Sequence, residues 1–171
     1  MIEKQEELIP EQQTGAESNI EEHVEFANVE EAKAFYDEVK QRLFSVSNWE
    51  QYAGVGAANF TLCDAHGNEV ERAPVVGDHF KIDIPGPGTI TGEGFDWVHI
   101  EAIEEIAGND LESIIIRVRP TTNPNNELDD VAHFFSEEAT SNFIVQRKGV
   151  EVTAAVMGRN EKPNVEAEKL V

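Results

Sequence analysis

Cysteine occurs once in the 171 residues, at Cys63, so neither a disulfide framework nor a four-thiolate metal site can form within one chain. Basic residues are scarce too. Lysine and arginine total 13 against 34 acidic residues, and the net charge of -21 repels phosphate backbones and anionic membrane surfaces. Neither nucleic acid nor a membrane is therefore expected as a partner. No apolar run is long enough to cross a bilayer, and the N-terminus lacks the basic start and apolar centre of a secretory signal. A soluble, cytoplasmic chain is the expectation. Gly-x-Ser-x-Gly, His-Glu-x-x-His, Cys-x-x-Cys, a dinucleotide fingerprint and a calcium loop are all missing, which removes the enzyme classes that such motifs establish. No cofactor and no metal site are expected. Enzymes whose groups come from scattered strands are not excluded.

What is present is alternation. In the stretch His79 to Arg119, Phe80, Ile82 and Ile84 share one strand face, as do Val98, Ile100 and Ala102, and Ile114, Ile116 and Val118. These nine residues are the expected core. Upstream, Asn28 is a candidate helix N-cap with Glu31 three residues on, and Phe35, Val39 and Leu43 recur at helical spacing to about Ser45. Ser47 to Glu50 has the form of a capping box, which predicts a short second helical turn carrying Trp49 and Tyr52. Further strands are expected at Phe60 to Cys63, at Glu69 to Arg72, and on either side of Lys148-Gly149, where Val145 would pair with Val152 and Phe143 with Ala154.

No helical crossover separates the strands, so the sheet should be antiparallel and the class α+β. About six to seven strands, strongly curved or closed into a barrel, with one or two N-terminal helices packed on them, would leave no exposed edge. The expected division is an acidic disordered tail over 1–25, a single domain over 26–158 and a polar C-terminal tail over 159–171. Up to Glu31 the first segment holds ten glutamates against Lys4 alone, and such a block resists collapse.

Chemistry concentrates on the second face of the central strands. His79, Lys81, Trp97, His99, Glu101, Arg117 and Arg119 fall there, with Asp83 and Ile115. The arginines suit a carboxylate, Trp97 offers a stacking surface, and His99 with Glu101 has the makings of an acid/base pair. Trp97 and Ile115 on this face call for a cover: the N-terminal helix, a second subunit or a ligand. Three functions fit. The first is a binding domain that holds a small amphipathic or anionic ligand on the curved sheet. The second is an enzyme using the His/Glu pair with arginine anchors, and the third is an interaction protein, a homodimer joined through this face. Elsewhere, Pro85 to Gly94 reads as a connector rather than a phosphate cradle, because strand residues follow it and Glu93 would repel an anion. Asp129, His133 and Glu137 would stack only if 127–137 were one helix, which the Ser136-Glu137-Glu138 cap interrupts.

Overall fold

A computed structural model describes residues 8–49, 51, 58–84, 94–126, 131–133 and 135–164. The fold is α+β. Helix α1 (Val29–Phe44) lies on an antiparallel sheet of seven strands: β1 (Ala16–Glu25), β2 (Asn59–Cys63), β3 (His79–Asp83), β4 (Asp96–Ala107), β5 (Leu111–Pro120), β6 (Thr140–Lys148) and β7 (Glu151–Glu161). Their order is β1-β7-β6-β5-β4-β3-β2, so β2 to β7 form a meander and β1 adds to its far end. The sheet is open. The expected barrel closure does not occur, and β1 and β2 form its two edges. β1 protects its edge with charge, because Glu17, Glu21, Glu22 and Glu25 disfavour pairing with another copy of itself.

The helix starts where its cap dictates. Asn28 is extended, and its side chain accepts a hydrogen bond from the Glu31 amide at 2.9 Å. Ala32 and Tyr36 are buried against Ile114, Val145 and Val152, while Phe35, Val39 and Leu43 cover the rim of this cluster. A single 3-10 turn (Val46–Asn48) follows and brings Trp49 back beneath the helix. There the indole Nε1 donates to the carbonyls of Arg42 (3.0 Å) and Leu43 (3.2 Å), which satisfies two of the carbonyls that the last turn leaves open. The ring meets Phe60, Phe80 and Phe143 at centroid distances of 5.0 to 5.4 Å. Phe80, Ile82, Val98, Ile100, Ile116 and Val118 complete the core on this face, each large side chain contributing about 1.5–3 kcal/mol by leaving water.

Four expectations change. A bulge between Ile100 and Ala102 inserts one residue, so Ala102 leaves the core face and Ile103 takes its place opposite Ile116. The C-terminal hairpin turns at Gly149-Val150, not Lys148-Gly149, and pairs Val145 with Ala154 and Phe143 with Val156. Gly149 has φ 57°, which a two-residue turn needs at its first position and which glycine adopts without strain. Residues 16–25, expected in a disordered tail, are β1, and β7 runs on to Glu161, past the expected boundary at 158. The segment from Glu69 contributes only a bridge to Cys63. Residues 85–93, Tyr52 and Asp129 lie outside the described residues.

Candidate functional site

The sheet has two faces, and they differ in what covers them. On the face away from α1, the register sets His79 opposite His99, Lys81 opposite Trp97 and His99 opposite Arg119. The bulge matters here. It leaves Glu101 on this face between two arginines: Arg117 Nε donates to its Oε1 at 2.8 Å, and Arg119 donates to Oε2 (2.7 Å) and Oε1 (3.1 Å). Paired with both guanidinium groups, above all Arg119, the Glu101 carboxyl is held below the usual range. A further donor of each guanidinium goes to the chain itself. Arg117 Nη1 reaches the Leu8 carbonyl (2.9 Å) and Arg119 Nη1 the Glu137 carbonyl (2.9 Å).

The aromatic and apolar residues of this face are covered from within the chain. Trp97 is 1% exposed and packs with Cys63, Ala132 and Phe95. Ile115 is packed with Ile144, Ala155 and Met157 beneath Ile9. The N-terminal segment is fixed there by Asn160, whose Oδ1 accepts from the amides of Gln13 (2.7 Å) and Thr14 (3.1 Å) and whose Nδ2 donates to the Glu11 carbonyl (3.1 Å). So the burial that a second subunit or a ligand would have explained comes from within the chain, from Leu8 and Ile9 over Ile115 and from Ala132 over Trp97. His79 Nδ1 lies 3.1 Å from the Asp64 carbonyl, which can only accept, so that nitrogen carries the hydrogen. Burial pushes the pKa of both His79 and His99 down, and the charge of Arg119 lowers His99 further. Lys81 sits over the Phe95 ring at 4.1 Å. Cys63 is buried, with its thiol pushed up to about 11, which leaves no thiolate for attack near neutral pH.

A base needs free lone pairs within reach of a substrate proton. Glu101 spends its oxygens on three guanidinium hydrogen bonds and acts here as the tie between β4 and β5. Replacing Glu101 with glutamine should lower the unfolding free energy by about 2 kcal/mol, because two half-buried guanidinium groups lose their counter-charge. Denaturant unfolding at pH 7 measures it, and a change under about 0.5 kcal/mol would mean that the carbonyls alone satisfy the arginines.

The described residues of 127–137 do not form the single helix that would have stacked His133 with Glu137: His133 lies in a bend, Glu137 in a turn, and Val131 bridges to Thr122. Among the described residues, no group of three or more potential ligands is placed to hold a metal ion.

The helix face is different, for it is left partly open. Between α1 and the β6-β7-β1 end of the sheet runs a cleft of about 570 Å³, lined by Val39, Leu43, Trp49, Phe143, Val145, Ala154, Val156 and Ile20, with Arg42 and Glu22. Its apolar lining reaches solvent: Ile20 is 67% exposed and Val156 36%. A second cleft of about 570 Å³ lies between the end of α1 and residues 70–73, but its lining is as polar as it is apolar. Sequence reasoning placed Phe143, Val145 and Ala154 in a core hairpin and Ile20 and Glu22 in a tail. The signal that unites them is the β1-β7 pairing, which opposes Ile20 to Val156 and Glu22 to Ala154 across more than a hundred residues of chain.

No protein-family model matches the chain, and no curated protein matches it. Among the described residues, no helix is long and apolar enough to cross a membrane. Among solved structures, the 1.88 Å crystal structure of the hypothetical protein jhp0584 from Helicobacter pylori is similar, with a TM-score of 0.51 and 14% identity over 92% of this chain and 80% of that one. That likeness extends to the fold alone.

Proposed function

We propose that this protein is a small binding domain that takes an amphipathic small molecule into the cleft between α1 and the β6-β7-β1 end of the sheet. The observation that carries the reading is the open apolar lining, in which Val39, Leu43, Val145 and Val156 face one another with Ile20 exposed at the mouth. A volume of about 570 Å³ falls in the range of small-molecule sites, and contiguous exposed apolar surface marks a binding surface more often than a solvated one. The two charged side chains of the lining suit a ligand with an apolar body and one polar end. The polar face supports binding less well, because Glu101 and the chain's own carbonyls already occupy Arg117 and Arg119.

The test uses a neutral apolar fluorophore, N-phenyl-1-naphthylamine. Ala154 is exposed on the cleft floor, so Ala154→Trp fills the space without disturbing the core. Wild-type protein should bind the probe and quench Trp49, while the variant should bind at least about tenfold more weakly with its melting temperature kept. Equal affinity in the variant, or no binding to the wild type, would overturn the proposal.

A further inference from the structure

The charge pattern of this cleft says which amphiphile it suits. Its lining carries one basic and one acidic side chain, and their situations differ. Arg42 is in an ion pair with Glu38 one helical turn back. The Glu22 side chain, on a strand whose backbone pairs with β7, is in no hydrogen bond or ion pair with any other described residue. It projects from β1 on the cleft side, opposite Ala154, whose single methyl leaves the space beside the carboxylate open, and Ile20 and Val24 flank it on the same face. The surroundings reinforce its sign. Thirty-four acidic residues against 13 basic ones place the cleft in a negative field, which draws cations in and holds anions off.

We infer that the ligand is a cationic amphiphile, an amine with an apolar chain or ring system, whose ammonium group meets Glu22 while its apolar part lies against Leu43, Trp49, Phe143 and Val156. This rests on the cleft being the binding site. Glu22 then sets specificity rather than bulk affinity, since an exposed ion pair adds little beside the burial of an apolar body. An acid of the same chain length meets repulsion from Glu22 and from the whole surface.

Octylamine, octanol and octanoate form a matched series that differs only at the head group. Each is used to displace N-phenyl-1-naphthylamine below the concentration at which it forms micelles. Wild type should release the probe at an octylamine concentration at least about tenfold below that of octanoate, with octanol between them. In Glu22→Gln the octylamine advantage over octanol should shrink about three- to fivefold, while octanol itself is unchanged. Octanoate competing as well as octylamine would overturn the charge assignment and leave the cleft standing, because octanol still competes. An octylamine advantage that survives in Glu22→Gln, or octylamine binding that survives in Ala154→Trp, would mean adsorption on the acidic surface and overturn the role of Glu22. No competition from any of the three, together with no probe binding, would remove the cleft itself.

Discussion

Replacing Arg147 with methionine should lower the unfolding free energy by about 4 kcal/mol, the largest effect expected of any single substitution here. Arg147 is 0% exposed on β6, and its guanidinium joins the two hairpins at one end of the sheet. Nε donates to Glu112 Oε2 at 2.7 Å, Nη1 to the Gly149 carbonyl at 2.8 Å and Nη2 to the Asn109 carbonyl at 2.9 Å. One planar group thus satisfies acceptors from β5, the β4-β5 turn and the β6-β7 turn. Methionine keeps the apolar stem and removes all three donors, stranding two carbonyls and a partly buried carboxylate. For a chain of this size the loss corresponds to a fall of about 10 °C in melting temperature. Lysine restores the charge but not the planar fork, so Arg147→Lys should recover only part of the loss. A methionine variant within about 1 kcal/mol of wild type would show that water takes over these acceptors.

Arg147 also shows where the sequence stops being readable. The Asn28 cap and the spacing of Phe35, Val39 and Leu43 specify α1 through contacts within a few residues, and alternation in β3, β4 and β5 identifies their core faces with one exception. That exception, Ala102, follows from the bulge at Glu101, a single inserted residue with no compositional signature. β1 was hidden for another reason. Its glutamates read as a self-repelling arm, and what makes it a strand is a ladder to β7 more than a hundred residues away, which local composition does not encode. The barrel expectation assumed that edges must be sealed, whereas acidic side chains along β1 protect an edge that stays open.

The same non-local pairing decides which face is available. Alternation assigned His79, Lys81, Trp97, His99, Glu101, Arg117 and Arg119 to one surface, and the register places them there. It said nothing of what lies over that surface, because residues 8–15, 131–133 and 135–139 are irregular stretches whose docking depends on single contacts such as Asn160 with Gln13 and Arg119 with Glu137. Meanwhile the face assigned wholly to the core is only partly filled. A helix of 16 residues does not span seven strands, so the β7-β1 end is left apolar and open.

Lowering the pH from neutrality should destabilise the fold between about pH 6.5 and pH 4, and His133 should account for on the order of 3 kcal/mol of that loss. His133 is 8% exposed, and burial pushes its pKa down from 6.5 to about 4. Its hydrogen bonds oppose the second proton as well. The Phe135 amide donates to His133 Nδ1 at 2.9 Å, so the neutral ring carries its hydrogen on Nε2, which lies 3.7 Å from Asp96 Oδ2. Protonation at Nδ1 would set two donors against each other, and the nearby Asp96 carboxylate offsets only part of that cost. Because the folded state resists a proton that the unfolded chain accepts, this contribution is complete above pH 6.5, falls as the pH drops, and is gone below about 4. His79 and His99 act with the same sign, since burial lowers both. Asparagine at 133 keeps an acceptor for the Phe135 amide and does not titrate. Denaturant unfolding of wild type and His133→Asn across pH 4 to 7 should therefore give a shallower slope in the variant even if its stability at pH 7 is lower. Equal slopes would assign the acid sensitivity to His79, His99 and the arginine-paired Glu101, which act with the same sign. The segment that His133 anchors also carries Ala132 over Trp97 and the Glu137 carbonyl to Arg119, so acid should expose Trp97 before it disturbs Trp49.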